Sequence, residues 1–119
     1  EPLPVYVGGS SAAAYERAAR LGDGYISMPS SPEDLRRLVP ELRDRVRDHG
    51  RPPERFRILA NGRDARTCED YAEMADLGAD VALVRPVNMG GPRGVAATRR
   101  ALDEFAARVV EPLARPRGS

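Results

Sequence analysis

Residues 4–28, PVYVGGSSAAAYERAARLGDGYISM, hold two short apolar runs on either side of an alanine-rich segment. The first run, Pro4 to Val7, and the second, Gly24 to Met28, contain the β-branched and aromatic residues that favour strands. The segment between them has the composition of a helix, which is predicted to end at Leu21–Gly22. A strand, a helix and a second strand in this order predict one unit of a parallel sheet.

The second helix has a clear start and a clear stop. Ser31 is suited to cap it, Pro32 suits its first position, and Asp34 lies three residues after the cap, as in a capping box. The helix is predicted to run to His49–Gly50, where the glycine favours a stop. Pro40 lies inside this helix and lacks an N–H, so we expect a kink or an exposed break there.

Two further pairs of a strand and a helix complete the chain. Phe56 to Asn61 is the third apolar run, and the helix after it has Thr67 and Asp70 at the capping spacing. Asp80 to Val84 is the fourth run, and the last helix is expected from about Val95 to Leu113. Short apolar strands that alternate with amphipathic helices predict the α/β class, with four βα units, parallel strands and right-handed crossovers.

Composition limits the classes of function. The chain has 119 residues, of which 41% are hydrophobic, and this predicts one domain at 1–114 with a disordered tail at 115–119. No run approaches the roughly 20 apolar residues of a membrane span, and we expect no leader peptide. The net charge is only +1 and the arginines alternate with acids, which argues against a nucleic-acid partner. Cys68 is the single cysteine, so no internal disulfide forms and a cytoplasmic location is expected.

The turn after the first strand, Gly8 to Ser11, has two interpretations. Where a strand runs directly into a helix, free N–H groups and the positive end of the helix dipole are exposed, and glycines let a phosphate approach them. A tight turn with a serine N-cap explains the same residues without a ligand. The four residues alone leave both interpretations open.

The wider sequence resembles the luciferase-like monooxygenase superfamily. The resemblance lies in the strand that ends in Gly8-Gly9, the small residues that begin the helix, the LGDGYI segment, the SPEDL helix start and the HGRPPE link. Later, LGADVALVRP is similar to the family's last barrel strand and ALDEFAARVVEPL to its closing helix. The resemblance implies half of a (β/α)8 TIM-type barrel, the last four βα units, and a flavin-type cofactor, either FMN or the deazaflavin coenzyme F420.

The same resemblance implies roles for individual residues. The turn after the family's fifth strand holds the cofactor phosphate, and the second strand end, Ser27 with Met28, would face the barrel mouth near the flavin ring. Asp23 and Gly24 would shape the turn into the strand. The family's first half is not represented here, so no catalytic residue is identified. The residues implied in cofactor binding are Gly8, Gly9, Ser10, Ser11, Ala12 and Met28.

A half-barrel leaves two strand edges open, at PVYV and at DVALV. We therefore expect self-association into a homodimer or a higher oligomer, or a second chain that supplies the missing units. One functional hypothesis is an oxidoreductase of the monooxygenase type that becomes active on assembly. The alternative is a non-catalytic, self-associating scaffold or binding protein derived from this barrel. A third reading is a small phosphate-binding domain with a flavodoxin-like layout.

Few other residues suggest chemistry. His49 is the only histidine, so neither a metal site nor a histidine-based triad is expected. Cys68 begins a helix, where a reactive thiol and a packed small side chain are both consistent with the pattern. Tyr15 and Tyr25 are expected to pack rather than to stack on a ligand. Anion binding and plain loop polarity remain open for Asn61, Arg63, Asp64 and Arg66 after the third strand, and for Arg85, Asn88, Gly90 and Gly91 after the fourth.

Overall fold

Four parallel strands form one sheet in the computed structural model, which describes residues 3–84 and 94–114. The strands lie in chain order, and each pairs in parallel with the next, so that Val7 is level with Tyr25 and Tyr25 with Ile58. A flavodoxin-like sheet reverses its strand order at one point, so this topology contradicts the third reading. The strands are β1 (Tyr6–Gly8), β2 (Gly24–Ile26), β3 (Arg57–Asn61) and β4 (Val81–Leu83).

The helices follow the strands as the sequence predicts. They are α1 (Ala12–Leu21), α2 (Pro32–Asp48), α3 (Cys68–Asp76) and α4 (Val95–Phe105), which continues through a π-helical turn (Ala106–Val110) into α5 (Glu111–Ala114). A short 3₁₀ turn (Pro53–Arg55) precedes β3. Of the kink or break expected at Pro40, the break is wrong, because α2 is continuous through this exposed residue, and the kink stays a prediction. The predicted tail at 115–119 and the loop residues 85–91 lie outside the described residues.

Two helices begin with the predicted capping boxes. In α2 the Ser31 hydroxyl accepts the Asp34 N–H at 3.2 Å, and the Asp34 carboxylate accepts the Ser31 N–H at 2.9 Å. Thr67 and Asp70 repeat this exchange at the start of α3, at 3.1 Å and 3.0 Å. Each box satisfies donors that the first helical turn leaves unpaired, which fixes where the helix begins.

One face of the sheet carries the core. Tyr25, Ile58 and Ala60 point toward the helices and are at most 1% exposed. They pack with fully buried leucines of α2, Leu35 and Leu42. Successive crossovers of one hand place all helices on the same side of a sheet, which accounts for this single core.

The opposite face of the sheet carries several apolar side chains beside Arg57 and Asn61 of β3, and it is not enclosed by the described residues. Alternation along the strands places Tyr6, Ile26, Leu59 and Val81 there. Tyr6 is 37% exposed and Val81 36%, in contrast with the buried residues of the helix-facing side. Gly24 is required on this face, because a Cβ there would clash with the backbone carbonyl oxygen of Arg57 and would also come within 2.7 Å of the Tyr6 ring.

Arg43 of α2 binds the two loops that lead into β3 and β4, on the side where the strands begin. Its guanidinium donates to the carbonyl oxygens of Pro53 at 2.6 Å, Phe56 at 3.0 Å and Gly78 at 3.2 Å. It also lies 3.4 Å from the carboxylate of Asp80. A guanidinium can satisfy several carbonyls at once, so this one side chain fixes α2 against the entries of β3 and β4.

We predict that Arg43→Met lowers the free energy of unfolding by about 2 kcal/mol or more, because partly buried carbonyls lose a charged donor. Urea denaturation of both proteins measures the difference. Arg47→Met is the matched control, since Arg47 pairs with Asp44 at the surface of the same helix and should change stability by less than about 0.5 kcal/mol. Equal losses in the two variants would contradict the role given to Arg43.

Candidate functional site

The glycine-serine turn connects β1 directly to α1. Gly9 has φ of 120°, and a Cβ there would lie 2.7 Å from the Cβ of Ala14, so only glycine fits without strain. Ser11 is the N-cap, and its hydroxyl oxygen accepts the Ala14 N–H at 3.1 Å. The tight turn with a serine cap is therefore present, and its geometry is also compatible with a phosphate at the turn.

Tyr25 of β2 forms a hydrogen bond to this turn. Its hydroxyl donates to the Gly9 carbonyl oxygen, and its ring packs edge-to-face on Tyr15 with 5.4 Å between centroids. Burial raises the pKa of the Tyr25 hydroxyl, so it remains a donor at neutral pH. The expected packing of the two tyrosines is confirmed. The hydrogen bond was missed by sequence reasoning, and the only available signal was that a buried tyrosine hydroxyl needs a partner.

The start of α1 differs electrostatically from the starts of α2 and α3. The N-termini of α2 and α3 are neutralised by their own carboxylates, Asp34 and Asp70, whereas α1 has no acidic residue in its first turn. Ala12 and Ala13, the first two residues of α1, are exposed. N–H groups at these positions have no partner within a helix, so this end of α1 favours an anion.

A cavity of about 350 Å³ lies beside the turn, between α1 and α2. It brings together two of the residues implied in cofactor binding, Ser10 and Met28, and the Met28 side chain is 54% exposed. Gly8, Gly9 and Ala12 border the turn itself rather than this cavity. The lining residues are Ser10, Tyr15, Tyr25, Met28, Ser30, Asp34, Arg37, Leu38 and Glu41.

Ser27 is placed differently from its neighbour Met28. It is only 4% exposed, and its hydroxyl accepts the Asn61 N–H at 2.9 Å across the sheet. The expectation that it faces the barrel mouth is therefore corrected, because its hydroxyl is used between β2 and β3. Asp23 has the predicted structural role, since its carboxylate accepts the Val5 N–H at 2.7 Å.

The residues after β3 mostly connect loops to one another. The Arg63 guanidinium lies 3.3 Å from the Pro29 carbonyl oxygen and 3.5 Å from the Asp34 carboxylate. Asp64 lines a smaller cavity of about 100 Å³ between the starts of α2 and α3. The candidates after β4, namely Arg85, Asn88, Gly90 and Gly91, lie outside the described residues.

Within residues 3–84 and 94–114 no group of three or more His, Cys, Asp or Glu side chains is arranged to hold a metal ion. The same part of the chain has no helix with the length and hydropathy needed to cross a membrane. His49 caps the end of α2, and its Nε2 lies 2.8 Å from a carboxylate oxygen of Glu16 on α1. Cys68 is the first residue of α3 and is partly buried.

Comparison with known proteins identifies the family. Residues 1–65 match the family model described as luciferase-like monooxygenase. The chain belongs to the luciferase-like monooxygenase family. Its four parallel βα units, with the strands in chain order and the helices on one face, are half the number in a (β/α)8 barrel.

The relatives of this luciferase-like chain are considerably longer. Uncharacterised proteins of Mycobacterium tuberculosis and Mycobacterium bovis are each 31% identical to it over 114 residues. These matches cover 92% of the chain but only 39% of either relative. The chain therefore spans about two fifths of the length of these relatives.

Parts of solved structures also resemble this chain. The coenzyme F420 dependent tetrahydromethanopterin reductase from Methanopyrus kandleri has a TM-score of 0.46 and 23% identity over 56% of this chain and 18% of its own. DmoA from Hyphomicrobium sulfonivorans has a TM-score of 0.43 and 20% identity over 89% of this chain and 23% of its own.

Three carboxylates of this luciferase-like chain have lowered pKa values, and in each the main cause is a hydrogen bond at the end of a helix. Backbone hydrogen bonds from Ser31 hold the pKa of Asp34 below its usual value, and those from Arg66 and Thr67 do the same for Asp70. A hydrogen bond to His49 lowers the pKa of Glu16. These groups stay ionised at neutral pH, and each binds a helix start or a neighbouring helix.

These depressed pKa values predict a loss of stability in acid. A carboxyl whose pKa is lower in the folded state stabilises the fold above its unfolded pKa, and the effect disappears as pH falls through the folded value. We expect the free energy of unfolding to decrease as pH is lowered below 3.8, the ordinary value for aspartate. The double variant Asp34→Asn/Asp70→Asn should be less stable at neutral pH and show a smaller decrease in acid.

Urea denaturation at pH values on both sides of this range provides the measurement. Asp44→Asn is the control, because the Asp44 carboxylate pairs with Arg47 at the surface instead of capping a helix. An unchanged pH dependence in the double variant would show that the caps do not cause the acid sensitivity.

Proposed function

We propose that this chain binds the phosphate group of a flavin-type cofactor, FMN or F420, at the turn from Gly8 to Ala12. In this proposal it forms part of a luciferase-like oxidoreductase of the monooxygenase type. The observation that carries the proposal is the start of α1, which exposes its first N–H groups and, unlike α2 and α3, has no carboxylate of its own. Family membership supports the cofactor class.

The turn has the properties that a phosphate requires. Gly9, with its positive φ, lets an anion approach the backbone without meeting a side chain. The Ser11 hydroxyl accepts from Ala14, so its own hydrogen remains available to donate to a phosphate oxygen. Tyr25 holds the Gly9 carbonyl oxygen away from the anion, because that oxygen already accepts the tyrosine hydroxyl.

The cavity beside the turn suits the less polar part of the same ligand. Ser10 at its edge lies next to the phosphate turn, and Met28 offers an exposed thioether surface. A bound flavin or deazaflavin would supply the hydride or oxygen chemistry, and the protein orients it and limits its contact with water. We assign Gly8, Gly9, Ser10, Ser11 and Ala12 to phosphate binding and Met28 to contact with the rest of the cofactor.

We further propose that activity requires assembly. Four βα units provide only half of the strand ends that surround the mouth of a (β/α)8 barrel, so substrate groups must also come from other units. The proposed location is the cytoplasm, where the free thiol of Cys68 stays reduced. The chain alone is expected to bind the cofactor phosphate without turning over a substrate.

Gly9→Val tests the phosphate site. A valine at φ of 120° distorts the turn and meets Ala14, so we expect at least a tenfold rise in the Kd for FMN, F420 and inorganic phosphate. Titration calorimetry gives the affinities, and circular dichroism checks that the helices remain. The matched control is Gly94→Val, since Gly94 has φ of 121° at the start of α4, open space around it and the same backbone strain.

The outcomes of this titration are distinct. Loss of binding in Gly9→Val with retention in Gly94→Val supports the site. Equal affinities in the wild type and Gly9→Val overturn it, and so does a wild-type chain that binds none of the three ligands at saturating concentration.

Met28→Arg tests the second part of the assignment. A new guanidinium in the cavity should disrupt the fit of the ring system but leave the turn intact, so the Kd for FMN should rise more than the Kd for phosphate. The same titrations measure both constants. Equal changes for the two ligands would show that Met28 acts only through the stability of the fold.

The second candidate function is a non-catalytic, self-associating scaffold. It is favoured by the charged side chains that line the cavity, because each is already engaged. Arg37 binds Asp34 at 2.8 Å, and Glu41 binds Arg45 at 3.1 Å. A purified chain that associates but binds neither FMN nor F420 would establish this function instead.

A further inference from the structure

A further cavity lies at the end of the sheet opposite to the glycine-serine turn. It has a volume of about 230 Å³ and is formed where α1 and α2 end and where β2 and β3 begin. The lining residues are Asp23, Val46, Arg51, Pro52, Arg55 and Phe56. All six belong to a continuously described part of the chain, away from both of its ends.

The walls of this cavity are held by hydrogen bonds within the protein. The Arg51 guanidinium donates to the carbonyl oxygens of Ala19 at 2.7 Å and Gly22 at 2.6 Å, so it binds the last turn of α1. On the other side, Arg43 fixes the 3₁₀ turn that precedes β3. Because the walls are already fixed, a ligand would bind here with little loss of conformational entropy in the protein.

Arg55 provides a cation that is free to bind a ligand. It is the last residue of the 3₁₀ turn, it is exposed, and within residues 3–84 and 94–114 its side chain has no ion pair or hydrogen bond. Arg51 retains part of its donor capacity as well, since a guanidinium has five N–H groups and two of its contacts are made to α1. Two guanidinium groups at one cavity favour a ligand with an anionic oxygen group.

The same cavity also holds negative charge, which restricts the choice of anion. Oδ2 of Asp23 accepts the Val5 N–H at 2.7 Å, while Oδ1 has no partner in the part of the chain that the structure describes. The C-terminal ends of α1 and α2 lie here too, and this end of a helix carries partial negative charge. A dianionic phosphate would be repelled by these groups, whereas a carboxylate next to an ammonium group matches both signs.

The floor of the cavity is apolar. Val46 and Phe56 belong to the core and present only an edge to the cavity, and the exposed residue Pro52 completes this side. Such a surface suits a short hydrocarbon group. A cavity of about 150 Å³ can hold benzene, so the present one has room for roughly nine non-hydrogen atoms.

We infer that this cavity binds a free α-amino acid with an apolar side chain of about four carbon atoms. Arg55, with Arg51 beside it, binds the carboxylate. The free oxygen of Asp23 accepts a hydrogen bond from the ammonium group, and the hydrocarbon side chain lies on Phe56 and Pro52. The inference does not depend on flavin binding, because this cavity and the glycine-serine turn lie at opposite ends of the sheet.

Titration calorimetry with four small ligands tests the two charged contacts separately. L-leucine has both charged groups, 4-methylpentanoate has only the carboxylate, 3-methylbutylamine has only the ammonium group, and inorganic phosphate is the reference anion. We expect leucine to bind with a Kd of about 1 mM or lower, and about tenfold more tightly than either analogue. Phosphate should bind this cavity more weakly than leucine.

Arg55→Gln removes the free cation from an exposed position, so the fold should be retained. The Kd for leucine and for 4-methylpentanoate should rise about tenfold, while the Kd for 3-methylbutylamine should change less than about twofold. Arg47→Gln is the matched control, because Arg47 lies near the same end of α2, pairs with Asp44 and does not line the cavity. It should leave all of these affinities unchanged.

Asp23→Asn is expected to give the converse pattern. The asparagine amide oxygen can still accept the Val5 N–H, but the negative charge is lost. The Kd for leucine and for 3-methylbutylamine should rise about tenfold, and the Kd for 4-methylpentanoate should stay the same or fall, because a repelling carboxylate has been removed. Circular dichroism and urea denaturation check the fold of each variant.

The outcomes that would overturn the inference are specific. They are the absence of saturable leucine binding up to about 20 mM, or equal leucine affinities in the wild type and Arg55→Gln. Tighter binding of phosphate than of leucine, lost in Arg55→Gln, would establish a simple anion site instead. Gly9→Val should bind leucine as the wild type does, so loss of FMN binding alone refutes the proposed function and leaves this inference intact.

Discussion

A parallel sheet needs cover on both faces, and the described helices of this chain cover only one of them. Its core lies between the sheet and α1–α3, where Tyr25, Ile58 and Leu42 are essentially inaccessible. Tyr6 and Val81 on the other face keep more than a third of their surface exposed. The exposure of Tyr6 and Val81 follows from this asymmetry.

The helix starts differ in whether their free N–H groups are bound by a carboxylate of the chain or are left available to a ligand. Asp34 and Asp70 use the dipole and the free N–H groups of their helices to fix the start, so an external anion gains little there. α1 has Ser11 as its cap and leaves the remaining donors exposed. An anion site of this kind therefore requires a helix start without a carboxylate, a property that α1 shares with α4.

The sequence was sufficient for features that depend on neighbouring residues. The unit order and both capping boxes are local patterns, and Ser31 and Thr67 lie where their spacing predicts. Contacts across the sheet were not accessible. The clamp formed by Arg43 spans up to 37 residues, and the bond from Tyr25 to the Gly9 carbonyl oxygen depends on strand register. Pro40 misled because an exposed proline can remain in a helix when tertiary packing holds it.

Cofactor binding and the proposed assembly are physically linked at the carboxyl end of the sheet. A phosphate at the start of α1 lies at the carboxyl ends of the strands, where closing the barrel would remove water and lower the local dielectric. The charge and hydrogen-bond interactions of the turn gain strength in such an environment, so a closed assembly would bind an anion more tightly than an open sheet. By linkage, the ligand then favours closure by the same free energy. Cofactor affinity would in this way depend on whether the remaining βα units of the barrel are in place.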